Sequence, residues 1–286
     1  MMDTQLMMIL VPVVILMNIV AYFVFIPQEY RNGKEKISSG NRNAVSFPSE
    51  VLPYLLLVSF IYILVKSQGV VVTVFEISPD YALAKYILHI EGNSVSMFQV
   101  FTNPLLTYVS SFIYLFGFSF LLIFTFVALI FTRRIRALQE YALAVAIIYI
   151  IAFPFYIFTP VKVTGYTLPD VVPLLYNLSP VILEGLKSVD PFFDNCFPSL
   201  HAALSFLAML FVVFKTDLKG FKIIAVFITL AIQFTIFYLG IHWFTDFVAG
   251  IILATLSYYL ATRYHKTIIG KINVSTSISH KRDGRY

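Results

Sequence analysis

The chain has 286 residues, of which 59% are hydrophobic and only 12% charged, and its mean hydropathy is +0.85. Soluble domains carry about twice that share of charge, and disorder, coiled coil and collagen each need another composition, so the figures leave a polytopic membrane protein. The net charge of +5 has to be read from its placement, and the single Cys196 excludes an intrachain disulfide and a cysteine metal cluster.

A spanning helix needs roughly 20 apolar residues. Seven runs qualify as candidates: Leu6–Ile26, Val51–Ile77, Thr107–Phe131, Tyr141–Phe158, Pro198–Phe214, Phe221–Gly240 and Ile241–Thr262. The first lacks the basic start and small-residue cleavage site of a signal peptide, so it reads as a retained span. Lys66-Ser67-Gln68-Gly69 interrupts the second, which is either one long helix with a polar side or a shorter helix followed by a segment in the outer leaflet. Between the second and third runs, Ser78-Pro79-Asp80 precedes Tyr81–Ile90 and Gly92. Between the fourth and fifth, Ser179-Pro180 precedes Val181–Lys187. Both patterns carry helix start signals, and their apolar residues suit short helices lying in the outer interface.

All but four of the 20 Lys and Arg residues follow the first, third, fifth and seventh runs. They are Arg31, Lys34, Lys36 and Arg42; Arg133, Arg134 and Arg136; Lys215, Lys219 and Lys222; and Arg263, Lys266, Lys271, Lys281, Arg282 and Arg285. Only Lys66, Lys85, Lys162 and Lys187 fall elsewhere. Basic residues near span ends stay cytoplasmic. The expected topology therefore puts the N-terminus outside and the C-terminus in the cytoplasm, and the basic tail meets anionic lipid head groups rather than nucleic acid. The expected fold is all-α, a multi-pass transmembrane helix bundle of six or seven spans with short interfacial helices in the outer loops. Residues 1–140 would hold three N-terminal spans, 141–265 the catalytic helices, and 266–286 a mobile basic cytoplasmic tail.

Ionisable residues within spans are costly and mark function. Here they cluster at Cys196-Phe197-Pro198-Ser199-Leu200-His201-Ala202-Ala203, opening the fifth run, and at Gly240–Gly250, opening the seventh. The topology puts both at the extracytoplasmic face. His242 and Asp246 are four residues apart and share a helical face, which Gly250 and Ala254 continue with small side chains that let a neighbouring helix approach. A carboxylate beside an imidazole fixes its tautomer and leaves the other ring nitrogen free. Pro198 suits the first position of a helix, and the amides of Ser199 and Leu200 would then lack intrahelical acceptors and form an anion site next to His201.

Phe-Pro-Ser-Leu-His-Ala from Phe197 and His-x-x-x-Asp-x-x-Ala-Gly from His242 resemble the second and third signature motifs of the type 2 phosphatidic acid phosphatase superfamily. The wording Phe-Pro-Ser-Leu-His is most similar to its inositol-phosphorylceramide-synthase-like branch, and the resemblance covers about Phe153 to Ala261. It implies that His242 attacks phosphorus, Asp246 orients it and His201 protonates the leaving group. Lys162 fits the first motif, but Pro169-Asp170 stand where that motif has Arg-Pro, and Thr235-Ile236 stand where the third has Ser-Arg. Two phosphate-binding arginines are thus missing, and Arg is the usual bidentate phosphate partner. Phosphate contacts then fall to Ser199 and Lys162, although a capping serine and a solvated lysine are the plainer readings of those two residues.

Other candidates read as structural. His89 suits the interface, His265 and His280 lie on the cytoplasmic side, and Cys196 has no evident base to activate it. Asn177-Leu178-Ser179 fits a glycosylation sequon whose use nothing in the sequence decides. His201, His242 and Asp246 could form an iron or zinc site, but the His–Asp pair with a helix-start anion site is already a complete metal-free set, so no metal or other cofactor is expected. The expected function is a lipid phosphatase that hydrolyses a lipid phosphate or polyprenyl diphosphate through a phosphohistidine. A phospho-head-group transferase using the same residues is the alternative. An anionic-lipid transporter would need inverted repeats and broken helices, of which the sequence shows neither. A catalytically dead scaffold is the remaining non-enzyme reading.

Overall fold

The computed structural model describes residues 2–32, 46–78 and 80–282. Lys34, Lys36, Arg42, Arg285 and the helix-start Pro79 lie outside the described residues. Among those described, helices dominate and no strand is present, so the protein is an all-α membrane bundle.

The helices are α1 (Met2–Phe25), α2 (Gln28–Arg31), α3 (Ser46–Lys66), α4 (Gln68–Val74), α5 (Ala82–Glu91), α6 (Pro104–Phe112), α7 (Phe118–Phe131), α8 (Ile135–Phe158), α9 (Pro180–Lys187), α10 (Leu200–Lys215), α11 (Lys219–Tyr238) and α12 (Phe244–Arg282). A π-helical turn, Ile113–Gly117, joins α6 to α7 into one run. Among the described residues, five helical stretches are long and apolar enough to cross a membrane: Gln5–Phe25, Pro104–Phe131, Ile135–Phe158, Lys219–Tyr238 and Phe244–Tyr264. Val51–Ile61 and Leu200–Lys215 are apolar but shorter. The second expected run divides at Ser67, whose hydroxyl donates to the Leu64 carbonyl oxygen at 2.7 Å, so it is a shorter helix followed by a second piece. The fifth run yields only the 16 residues of α10, about 24 Å at 1.5 Å per residue.

Side-chain caps fix several helix starts. Asn103 accepts the Leu106 amide at 2.9 Å ahead of Pro104, and Ser179 accepts the amides of Val181 and Ile182 ahead of Pro180. At α5 the expected cap was Ser78, yet it is the Asp80 carboxylate that accepts the Ala82 amide, at 2.9 Å. At α10, Pro198 is not the first helical residue. Ser199 is the cap, accepting the Ala202 amide at 3.2 Å, and the helix begins at Leu200. The backbone of α12 continues helical to Arg282, through most of the stretch expected as a mobile tail.

Within the bundle α10 is central, packed against α7, α8, α11 and α12, while α3 lies on α8 and α1 on α7 and α9. Its core is aliphatic and aromatic, with Ala202, Ala203, Leu207, Ala208 and Phe211 of α10 fully buried. The ends of α10 differ in character. Its C-terminal Lys215 meets Glu140, Arg136 and Arg134 beside Tyr30. Basic residues that follow the third and fifth runs thus approach one another at one end, and His201 stands at the other.

Candidate active site

The site is assembled where the starts of α10 and α12 touch. Gly240 ends α11 with φ +73, and a Cβ there would lie 2.6 Å from the Val172 carbonyl oxygen. Only glycine suits that conformation and that approach. The turn it permits lets the amides of Ile241 and His242 both donate to the Ile236 carbonyl oxygen, at 3.1 and 3.0 Å, and places His242 immediately ahead of α12. The Ser199 amide donates to the Asp246 carbonyl oxygen at 3.0 Å, tying the α10 cap to the first turn of α12. This approach depends on Gly250, whose missing Cβ would sit 2.6 Å from the Ser199 carbonyl oxygen.

His242 Nδ1 and Asp246 Oδ2 are 2.9 Å apart in full burial, and the same carboxylate oxygen accepts the Trp243 amide at 3.0 Å. A buried carboxylate with two donors is firmly held, so the imidazole it pairs with is held too. Nδ1 is the ring nitrogen that faces the carboxylate, which leaves Nε2 as the one turned away from it. The His201 ring lies across from the His242 ring, with centroids 5.8 Å apart. Tyr114 stacks on His201 at 4.3 Å with its hydroxyl 3.4 Å from Nδ1, and Phe118 flanks the same ring at 4.5 Å. His201, His242 and Asp246, singled out in the sequence, are therefore together at one end of the bundle.

His201 and His242 line a cavity of about 310 Å³ walled by Tyr114, Tyr149, Tyr156 and Tyr176, with Leu10, Leu115, Phe118 and Leu204 as its apolar side. At its floor, the backbone N–H groups of Leu200 and His201 engage no acceptor among the described residues. At the start of α12, Glu91 at the end of α5 takes the amides of Phe244 and Thr245 at 2.8 and 2.5 Å, so those two donors are already engaged. The Ser199 hydroxyl is occupied as the α10 cap, and Thr235 and Ile236, standing where the resemblance expects Ser-Arg, are buried.

Lys162 does not line this cavity. It faces a neighbouring, more polar chamber of about 570 Å³ with Gln68, Asp190 and Asp194, and Tyr156, Val189 and Asp190 line both. Its backbone carbonyl oxygen accepts Trp243 Nε1 at 2.9 Å, which links it to the histidine turn. Burial, with Asp190 adding to it, pushes the Asp194 carboxyl up to about 6 against the pull of Lys162. Burial likewise raises Asp190, opposed by the amides it accepts from Asp194 and Asn195. Burial raises the Cys196 thiol far above its ordinary range, which suits an unreactive side chain; the thiol donates to the Ile241 carbonyl oxygen at 3.4 Å.

The only donor atoms among the described residues that converge closely enough to hold an ion belong to Cys196, His242 and Asp246, within 4.8 Å of one another. His201, which the sequence-based metal set contains, is not among them. All three groups already serve each other or the backbone through hydrogen bonds.

Three residues here carry no clear sequence signal. Tyr114 is one aromatic among many in the third run, Glu91 is a lone acid at the end of a short helix, and Asp190 is a loop carboxylate. Each is legible only once distant segments meet. A family model described as the PAP2 superfamily matches residues 87–260, more than half of the chain, and its span takes in Glu91 and Tyr114 as well as both histidine segments. No curated protein and no solved structure matches the chain.

Proposed function

The chain belongs to the PAP2 superfamily, a phosphatase-like enzyme family, and from that premise we propose that it hydrolyses a lipid phosphate or polyprenyl diphosphate at the extracytoplasmic membrane face. The N-terminus would then be outside and the C-terminus cytoplasmic, following the basic clusters. The observation that carries the proposal is the buried His242–Asp246 pair facing His201 across one cavity with an apolar side.

The phosphate would lie against the free N–H groups of Leu200 and His201, at the positive end of α10. His242 Nε2 attacks phosphorus, and the bond from phosphorus to the leaving oxygen breaks as the P–N bond forms. Asp246 holds the Nδ1 proton and stabilises the cationic ring. His201 gives its proton to the departing oxygen and then takes one from the attacking water, which cleaves P–N, releases phosphate and restores His242. Tyr114 positions His201 by its stack and hydroxyl. Lys162 supplies positive charge from the adjoining chamber, and Ser199 acts through the helix start that it caps.

That polar chamber also favours a second reading, in which an alcohol held there takes the place of water and the enzyme is a head-group transferase. One assay tests both. The purified protein is given polyprenyl diphosphate, phosphatidate or phosphatidylinositol, and free phosphate and new lipid are measured. His242→Ala is expected to abolish turnover with lipid still bound. Activity within a few-fold of the parent would show that another residue is the nucleophile.

A further inference from the structure

The end of the bundle away from the histidines holds a basic bowl of about 620 Å³, lined by Tyr30, Arg133, Arg134, Arg136, Glu140 and Lys215 among others. Its charges do not balance. Arg136 and Lys215 share the single buried carboxylate of Glu140, each at 2.8 Å, and Arg134 pairs with Asp217. Arg133 makes no ion pair among the described residues and is exposed. It also stands where a helix normally ends on glycine. Its φ is 54, its amide donates to Ile130 at 3.0 Å, and the Arg134 amide donates to Leu129 at 2.9 Å. A side chain in this left-handed conformation is strained, and Arg133 is among the residues that line the bowl.

An apolar groove of about 340 Å³ runs along the seam of α1 and α7 between Val14, Ile19 and Phe23 on one side and Ile123, Val127 and Phe131 on the other. Both of its walls lead toward the bowl. Phe131 lies two residues before Arg133. On the α1 side, the Arg31 guanidinium lies 5.5 Å from the centroid of the Phe23 ring, and its Nε is buried with no hydrogen-bond partner. Phe131 and Phe23 thus lead from the apolar track to Arg133 and Arg31, neither of which makes an ion pair among the described residues.

We propose that seam and bowl together bind an anionic phospholipid, its phosphate between Arg31 and Arg133 and one acyl chain along the groove. Guanidinium matches phosphate in charge and in donor geometry, and the groove gives the chain a place that a free anion would not need. The site is separate from the reaction, because Lys215 and His201 lie near opposite ends of α10, about 21 Å apart along the helix at 1.5 Å per residue.

The test uses the full-length protein in nanodiscs of phosphatidylcholine with or without phosphatidylglycerol, then counts retained lipid by native mass spectrometry after transfer to detergent. The parent is expected to favour phosphatidylglycerol by at least about tenfold, and Arg31→Ala with Arg133→Ala to lose that preference. Val127→Trp, which fills the groove, is expected to lower retention of phosphatidylglycerol with both arginines intact. Arg133→Gly separates binding from folding: in detergent alone it should melt at or above the parent's temperature, yet gain less from added phosphatidylglycerol. The proposal is overturned if the double variant keeps the preference. It is also overturned if inorganic phosphate stabilises the parent as well as the lipid does, or if Val127→Trp changes the oligomeric state and leaves lipid retention as it was.

Discussion

Gly250→Ala is a one-methyl change remote from the reacting atoms that should disable the site. The added Cβ would lie 2.6 Å from the Ser199 carbonyl oxygen, 3.1 Å from Ala202 Cβ and 3.3 Å from the Ala203 amide nitrogen. Ordinary contact begins near 3.4 Å, so α10 and α12 must separate by about 0.8 Å at this point. The obstructing atoms are backbone or the first atom of a side chain and cannot swing aside. Overpacking of this kind costs roughly 1–3 kcal/mol, offset by about 1 kcal/mol from replacing a helical glycine, so the loss in thermal stability is small. Activity should suffer more. The Ser199–Asp246 backbone bond of 3.0 Å crosses the same seam, and a misplacement of about 1 Å in a catalytic set can lower the rate on the order of 10²-fold. Phosphate release from a lipid phosphate, measured beside a melting curve in detergent, separates the two effects. Gly220→Ala serves as the control, because its Cβ would meet only Phe25, at 3.4 Å. If Gly250→Ala keeps parental kcat/KM, the tight α10–α12 seam is not what sets the histidines.

Two further outcomes are expected from the walls of the site. Tyr114→Phe keeps the stack on His201 but removes the hydroxyl near Nδ1, so kcat should fall about fivefold, near 1 kcal/mol for one hydrogen bond, with KM little changed; an unaltered pH–rate profile and kcat would rule out the positioning role. Asp194 holds its proton up to about 6 in the folded protein, against 3.8 for an ordinary aspartate. The folded state therefore binds more protons than the unfolded state between those values, and stability falls as pH rises through that window. Asp194→Asn should remove this slope and raise the melting temperature at neutral pH. Melting curves across the window that keep the parental slope would assign it to another group, Asp190 first.

The sequence made the architecture legible because membrane physics leaves a coarse record. Seven apolar runs correspond to helical segments, and the site's histidines and aspartate sit at helix starts marked by Ser199 and Gly240. Spacing paired His242 with Asp246 on one helical face, but His242 lies just ahead of α12, and the pair forms because the Asp246 carboxylate at the helix start takes both His242 Nδ1 and the Trp243 amide. What spacing could not supply is contact between segments. Glu91 caps α12 from more than 150 residues away in sequence, and Tyr114 reaches His201 across 87; neither has a local pattern. The extent of α10 was misread for a related reason. Hydropathy continues through Pro198, but the helix start is fixed by Ser199 accepting a backbone amide and donating its own to Asp246, which are hydrogen-bond facts and not hydrophobic ones.

Lys162 shows how position changes the meaning of a motif residue. Where the resemblance expects arginines the chain has Pro169 and Ile236, so Lys162 is the one permanent cation at a motif position, but it faces the adjoining chamber among Asp190, Asp194 and Gln68. In that setting its charge is partly answered by carboxylates before any substrate arrives. It can still act on a phosphate in the adjoining cavity as a nearby charge, one that solvent screens because the side chain is exposed. The proposed reaction therefore expects Lys162→Ala to lower kcat/KM by at least about tenfold, or ~1.4 kcal/mol, and Lys162→Arg to retain more activity than Lys162→Ala. Removing the competing carboxylate should work in the opposite direction: Asp194→Asn leaves the lysine less compensated, so kcat/KM for an anionic lipid should rise, and the combined Lys162→Ala and Asp194→Asn variant should lose that gain. A lysine that merely solvates a loop predicts changes within about twofold throughout. If Lys162→Ala matches the parent while Asp194→Asn raises activity, phosphate charge is met by the α10 helix start alone, and Lys162 belongs to the chamber rather than to the reaction.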